Sequence, residues 1–328
     1  MKNVMVTGGG GFIGSHLVDV LLSRCETILI IEKFDENSSV KPMTESMQHI
    51  MKYVDGGPET HRAVTLSYNP YGLCSSAISE MLDHCNIDTV FHLAANPSVA
   101  KCESSHTAIQ DNFETTVRMI NEVNASSTVK RFVYAASGGT VYGEGCQIPS
   151  SEYSTPRPSS EYGLTKHFGE LWMRQLRPDI AGVSLRLANV YGQRQNPHGE
   201  SGVIAAWLNK VANDEPLIIY GDGNQTRDYI HVDDVVTAFI DAVSWTMRND
   251  YEPGFDVFNI GTEKETTINE LYDHFCAVFN RKLPVDRKPE REFEIKCNHL
   301  KNAKASRVLG WCPRVELPIG LAETVGAF

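Results

Sequence analysis

Hydrophobic positions along this chain switch between short unbroken runs and stretches with helical spacing. Val4-Met5-Val6 is an apolar run that stops at Thr7-Gly8-Gly9-Gly10-Gly11. Phe12, Ile13, Leu17, Val18, Leu21 and Leu22 then recur every three to four residues, as on one face of a helix. A second run, Thr27-Ile28-Leu29-Ile30-Ile31, ends at Glu32 and Lys33. The alternation then repeats. A helix around 77–85 leads to Thr89-Val90-Phe91-His92-Leu93-Ala94-Ala95, and a helical stretch over 101–124 leads to Arg131-Phe132-Val133-Tyr134-Ala135-Ala136. A prolyl loop (Pro149, Pro156, Pro158) delivers a helix carrying Tyr162, and the run Val183-Ser184-Leu185-Arg186-Leu187 follows. Apolar strands separated by helices predict an α/β fold with a parallel, doubly wound sheet, because a strand covered on both faces has no polar side to alternate.

From Asn189 onward the texture becomes irregular and rich in Gly, Pro and polar residues, as in Pro197-His198-Gly199-Glu200-Ser201-Gly202-Val203 and Gly221-Asp222-Gly223-Asn224-Gln225-Thr226-Arg227. A helix begins near Val232, and strand-helix texture returns at 257–260 and 268–279. The expected division is a cofactor domain over 1–187, to which later segments such as 226–260 return, and a smaller C-terminal substrate lobe, mainly 188–328. Stretches 35–75 and 285–300 carry the least pattern.

The glycine cluster has the strand-turn-helix context that makes it a dinucleotide fingerprint. Gly8 permits the tight turn, Gly11 lets backbone approach a pyrophosphate at the helix N-terminus, and Gly14 lets helix and strand pack closely. An acid at Glu32, ending the second strand, accepts from adenosine ribose hydroxyls and repels a 2′-phosphate, which favours NAD over NADP. Lys33 beside it weighs the other way, and Asn37, Ser38 and Ser39 are either adenosine-side donors or a polar loop. Leu93-Ala94-Ala95 places small side chains where a cofactor could lie against backbone.

Ser160-Glu161-Tyr162-Gly163-Leu164-Thr165-Lys166 sets a phenol and an ammonium four residues apart, on one face of a helix. Positive charge beside a phenol favours the phenolate, so such a tyrosine can serve as a base near neutral pH.

Composition narrows the partners. In 328 residues, 41% are hydrophobic and 22% charged, as in a soluble globular protein, and the net charge of −11 disfavours nucleic acid and anionic membranes. Eight cysteines without a C-x-x-C pair read as reduced thiols, and no apolar run is long enough to span a membrane. The histidines have no metal-ligand spacing, so no metal is expected. The opening residues read as a strand entering a turn, so a cytoplasmic protein is the expectation.

With these motifs in order, the chain resembles the extended short-chain dehydrogenase/reductases of the nucleotide-sugar epimerase/dehydratase type, similar to the UDP-glucose 4-epimerases. The resemblance is carried by Thr7-Gly8 through Gly14, Phe91 to Ala95, Val141-Tyr142-Gly143, Tyr162 to Lys166, Leu187 to Gly192, the block from Gly221 to Asp234, and Leu309-Gly310-Trp311. It implies a Rossmann sheet, bound NAD, a UDP-sugar substrate and a homodimer packed through the helices of 101–124 and 160–177. It implies Tyr162 as base with Lys166 as its helper, and cofactor contacts from Gly8, Gly11, Phe12, Ile13, Gly14, Glu32, Lys33, Leu93, Ala94, Ala95, Asn112, Tyr162 and Lys166. Asn189, Val203, Arg227, Lys288 and Ile295 would meet the substrate, with Ile295 limiting bulk at the sugar C2. One departure stands out. Where relatives carry Ser or Thr five residues before the glycine of the Tyr-Gly pair, this chain has Gly138. Ser137 and Thr140 are the nearby hydroxyls, and strand alternation favours Thr140. The 4,6-dehydratases place an Asp-Glu pair here, and Gly138-Gly139 has none, which favours 4-epimerisation. A dehydratase or reductase, and a silent NAD-binding sensor, are the alternatives.

Overall fold

The computed structural model describes residues 1–33, 45–53, 63–69, 78–96, 108–197, 202–248, 251–291 and 295–328. Asn37, Ser38, Ser39, Cys74 and Cys102, and the Lys33 side chain, lie outside what is described. Six strands, β1 (Asn3–Thr7), β2 (Thr27–Lys33), β3 (Ala63–Asn69), β4 (Thr89–His92), β5 (Arg131–Ser137) and β6 (Ala181–Leu187), are joined by Phe255–Ile260 in one parallel sheet. Its order is Phe255–Ile260, β6, β5, β4, β1, β2, β3. The chain builds outward from β1 to β3 and then crosses back to lay β4 on the other side of β1. That reversal leaves a crevice at the carboxyl ends of β1 and β4, where ligands of doubly wound sheets bind.

β4 and β6 are buried along their whole length, as their unbroken apolar runs require. On one face, Leu17, Val18 and Leu21 of α1 (Phe12–Leu22) share a core with Val235, Phe239 and Val243 of the helix Val232–Thr246. On the other, Leu82, Met119, Ile120 and Val123 pack with Phe132 and Tyr134 of β5. A third core holds the C-terminal lobe, where Trp207, Leu271, Phe275 and Leu321 join the helices Val203–Ala212, Ile268–Val278 and Leu317–Gly326. No helix among the described residues is long and apolar enough to cross a membrane.

Two stretches differ from their sequence patterns. The weakly patterned 35–75 region holds a helix, Glu45–Met51, and β3 at the sheet edge. The helical stretch expected over 101–124 opens with a wide turn, Ile109–Glu114, before the regular helix Thr115–Ala125, and 101–107 lie outside the described residues. The Thr115 and Thr116 hydroxyls donate to the Asp111 and Asn112 carbonyls there, competing with the helical ladder.

Candidate active site

Gly8 turns the chain out of β1 with φ +73°, a left-handed conformation that glycine adopts freely. A Cβ on Gly8 would lie 2.8 Å from the Ala94 amide nitrogen, so the turns after β1 and β4 meet backbone to backbone. A Cβ on Gly14 would overlap the Gly8 carbonyl oxygen. Gly11 caps α1 without a side chain, and no acid occupies the first turn, where Phe12 and Ile13 are half-buried. The amide end of the helix and its dipole are left to a ligand, which fits the pyrophosphate of a dinucleotide. Glu32 accepts a hydrogen bond from the Gly10 amide, which holds its carboxylate beside the glycine turn. Leu93, Ala94 and Ala95 line the far side, half-buried.

Asn112 is buried and largely engaged by protein. Its Oδ1 accepts from the Asn96 amide at 2.6 Å, and its Nδ2 donates to the Asn96 carbonyl at 3.3 Å and to Thr165 Oγ1 at 3.4 Å. It therefore ties the segment after β4 to the helix that carries Tyr162. Behind it, His92 Nδ1 meets Thr7 Oγ1 at 2.7 Å and Nε2 meets Thr116 Oγ1 at 3.1 Å. Burial, with Lys166 nearby, pulls the His92 pKa down to about 3, so this imidazole is neutral.

The helix Glu161–Trp172 starts at Ser160, whose Oγ accepts from the Gly163 amide at 3.1 Å. Tyr162 is half-buried at its first turn, and Lys166 is buried one turn on. The Lys166 ammonium donates to the Ala135 carbonyl at 2.8 Å and lies 5.9 Å from the centroid of the Tyr162 ring. Further along, Glu170 forms a buried pair with Arg186 of β6, with Nε to Oε1 at 2.9 Å and Nη2 to Oε2 at 2.8 Å. Arg186 Nη1 also reaches the Tyr142 hydroxyl at 2.8 Å, which donates to Asn259 Oδ1 at 2.7 Å.

The expectation of an extended strand through Thr140 is corrected. β5 ends at Ser137, and Gly138–Val141 is a single helical turn with Ser137 at its N-cap. Two consecutive glycines are poor strand formers, so the chain leaves the strand here, and the Ser137 side chain makes no capping hydrogen bond. The strand alternation that aligned Thr140 with position 138 therefore does not hold, and the three-residue spacing of a helical turn relates Thr140 to Ser137 instead. Thr140 Oγ1 is buried with no hydrogen-bond partner among the described residues. Gly163 packs on this turn, since a Cβ there would lie 2.8 Å from the Thr140 carbonyl oxygen. Thr140 and Tyr162 are thereby brought together from segments that a prolyl loop separates.

On the lobe side, Asn189 donates its amide to the Asp228 carbonyl at 2.8 Å, and its Oδ1 lies 3.2 Å from where a Gly139 Cβ would sit. Arg227 Nη1 donates to the Thr226 and Ile295 carbonyls, each at 2.7 Å. Asp228 accepts from Thr262 and the Leu300 amide, and burial, opposed by those bonds, raises its pKa. Lys288 is exposed and paired with Asp286 at 2.7 Å, and half-buried Val203 opens the helix Val203–Ala212. A residue that the sequence pattern does not reveal is Asn298. It is buried, its Nδ2 donates to the Gly139 carbonyl at 3.2 Å, and its Oδ1 has no partner among the described residues. Asn298 lies in an irregular stretch, Lys296-Cys297-Asn298-His299-Leu300, whose spacing gives no signal.

The family model described as the NAD dependent epimerase/dehydratase family matches residues 4–261. The chain belongs to that family. A UDP-glucose 4-epimerase of Mycolicibacterium smegmatis is 32% identical, with 99% of this chain and 97% of that protein covered. Among solved structures, the Thermotoga maritima UDP-glucose 4-epimerase with UDP-glucose superposes with a TM-score of 0.83 at 30% identity, covering 99% of this chain and 98% of that one. The Bacillus cereus UDP-glucuronic acid 4-epimerase, in complex with UDP-glucuronic acid and NAD, gives 0.83 at 27% identity, covering 100% and 98%. The protein is an NAD-dependent nucleotide-sugar epimerase with the Rossmann fold of the extended short-chain dehydrogenase/reductases.

Proposed function

We propose that the protein interconverts a UDP-linked hexose and its 4-epimer through a 4-keto sugar. Gly8, Gly11, Phe12, Ile13, Gly14, Glu32, Lys33, Leu93, Ala94 and Ala95 would hold NAD along the crevice, with Asn112 fixing the segment after β4. Bound NAD supplies a reversible hydride acceptor for the sugar C4. Tyr162 takes the proton of the 4-hydroxyl and returns it after the sugar has turned over. The Lys166 ammonium stabilises the phenolate by charge and holds the nicotinamide ribose. Ser137 and Thr140 hydrogen-bond the 4-oxygen, and the partnerless buried hydroxyl of Thr140 supports that role. Asn189 and Arg227 meet the diphosphate, with Val203, Lys288 and Ile295 along the rest of the UDP-sugar. Because the sugar must rotate in place, recognition has to be firm on the diphosphate and loose on the hexose.

The observation that carries this reading is the contact between the Tyr162 helix and a catalytic turn with no acid, Gly138–Val141. Elimination of water would need an acid-base pair at that turn, and the turn supplies only hydroxyls. The test is an NMR product assay without added reductant, on UDP-glucose, UDP-N-acetylglucosamine and UDP-glucuronate in turn. A 4-epimer from one of them is expected and names the sugar. A dehydrated or net-reduced product, or three unchanged sugars with NAD retained, overturns the reading.

A further inference from the structure

Tyr134 is a fully buried phenol near the site, and no step above uses it. It lies on β5, directly before Ala135, whose carbonyl receives the Lys166 ammonium. The ammonium also stands 5.0 Å from the centroid of the Tyr134 ring. The His92 ring is stacked against Tyr134, with centroids 5.8 Å apart and planes 19° apart. The catalytic helix is shaped to admit this ring, since a Cβ on Gly169 would lie 2.6 Å from the Tyr134 hydroxyl oxygen and 3.0 Å from Cζ.

We propose that Tyr134 is a positioning residue whose ring face holds the Lys166 ammonium in place beside Tyr162. An aromatic face carries negative quadrupolar potential, and its attraction for a cation strengthens when both are removed from water, as here. Lys166 is buried, and a buried ammonium is costly unless its surroundings favour positive charge. The neutral ring does so while carrying no net charge of its own, so it leaves the field that Lys166 exerts on Tyr162 unquenched. A carboxylate in the Tyr134 position would pair with the lysine and oppose the phenolate. His92 is neutral, and Burial drives the Tyr134 phenol far above its ordinary pKa, which keeps it neutral as well. Glu170 is engaged by Arg186, and Asp111 and Glu114 lie on the run Ile109–Glu114, which packs against the helix Glu161–Trp172.

The inference rests on the assignment of Lys166 as the helper of Tyr162, so its test needs one readout that does not depend on turnover. Tyr134→Phe keeps the ring, and replacing that phenylalanine by mono-, di- and trifluorinated analogues weakens the quadrupole stepwise at nearly constant shape. The pH midpoint of the Lys166 13Cε resonance, assigned by its loss in Lys166→Arg, is expected to fall with each fluorine. The kcat is expected to fall in parallel by about 3- to 10-fold across the series, with KM unchanged and with Tyr134→Phe itself close to the parent. A flat resonance midpoint across the series overturns the proposal, whatever the activity. A falling midpoint with unchanged kcat keeps the ring-ammonium contact but overturns its role in positioning for catalysis. Absence of turnover in the parent protein, with a falling midpoint, counts against the reaction assigned above and not against the contact.

Discussion

Gly138 and the Leu300 side chain meet at the turn Gly138–Val141 so closely that a Cβ on Gly138 would overlap Leu300 Cδ1 and lie 3.0 Å from Cδ2. Leu300 is itself anchored, because its amide donates to Asp228 Oδ2 at 3.2 Å and it bridges to Ser150. The missing family hydroxyl at position 138 thus has a packing cause. A side chain there would have to displace the buried Leu300 methyl groups and would lie 3.1 Å from the Arg186 carbonyl oxygen, so Leu300 fills the space instead.

Gly138→Ser therefore does not restore a family feature in this chain. Overpacking of a closed site costs about 1–3 kcal/mol, so the thermal midpoint is expected to fall and turnover with it. Pairing the change with Leu300→Ala should recover part of the stability. Melting curves and initial rates for the two single variants and the double variant check this. A Gly138→Ser protein as stable as the parent and more active would show that the turn has room.

Thr140→Val is expected to lower kcat by on the order of 100- to 1000-fold, the range for removing one preorganised donor from a reacting oxygen. KM should change little, because the hydroxyl acts where charge develops. Ser137→Ala should give a comparable or smaller loss. Full activity in Thr140→Val would move the hydrogen bond to Ser137 or to the peptide amides of the turn.

Much of this site could be read from residues alone, for reasons that differ by segment. The glycine turn, β2, β4, β5 and β6 were legible because buried parallel strands are written as apolar runs, and a glycine turn has steric requirements that few residues meet. Tyr162 and Lys166 were legible because four residues is one helical turn. β3 was not, since Ala63-Val64-Thr65-Leu66-Ser67-Tyr68-Asn69 mixes polar residues into a strand at the sheet edge. Thr140 was aligned with position 138 by strand alternation, which fails because β5 gives way to a helical turn at Gly138-Gly139. Asn298 and Leu300 carry no periodic signal, and the Asn298–Gly138 contact spans 160 residues of sequence. Contacts of that kind are set by tertiary packing and leave no local trace.

The Glu170–Arg186 pair fastens the helix Glu161–Trp172 to β6, and its loss should be felt as instability before it is felt as chemistry. Burial alone would raise the Glu170 carboxyl, but hydrogen bonds from His167, Arg186 and Ser184, with the Arg186 charge, hold it below its ordinary value. A carboxyl depressed in the folded state adds stability above its unfolded pKa, and that stability is lost as pH falls through the folded value. Arg186→Met leaves a buried carboxylate without its cation and is expected to cost about 3–5 kcal/mol. Its acid-unfolding midpoint should move to higher pH. Urea titrations at several pH values measure both effects, and a variant with an unchanged midpoint would place the pair outside the stability of the helix.

His92 should add a second and distinct pH dependence. Its folded pKa, about 3, lies below the ordinary 6.5, so the unfolded chain binds its proton first as pH falls. Stability is then complete above about 6.5 and declines between 6.5 and 3, with a limiting slope of about 1.4 kcal/mol per pH unit for one proton. His92→Gln, which keeps polar atoms near Thr7 and Thr116, should flatten the dependence in that window while lowering stability overall. An undiminished slope in the variant would assign the window to other groups.

The helix that carries Tyr162 and Lys166 presents a second face to solvent. Leu164, Phe168, Leu171 and Trp172 are each 38–44% exposed, and Ile109 on the neighbouring helical run is 46% exposed. Phe113 joins them, with its ring 5.8 Å from Phe168 and 6.1 Å from Trp172. Contiguous apolar surface of this kind marks an interaction site, and a two-fold pairing of two such helices from each subunit would bury it in a four-helix bundle. The homodimer that the family resemblance implies would then form through this face. Sedimentation equilibrium is expected to give twice the chain mass for the parent protein, and Phe168→Asp should shift it toward the monomer by placing an unpaired charge in the bundle. Because Lys166 and Glu170 on the opposite face remain buried in their own subunit, the variant should stay folded by circular dichroism. A monomeric parent, or a Phe168→Asp dimer of undiminished strength, would remove this face as the interface.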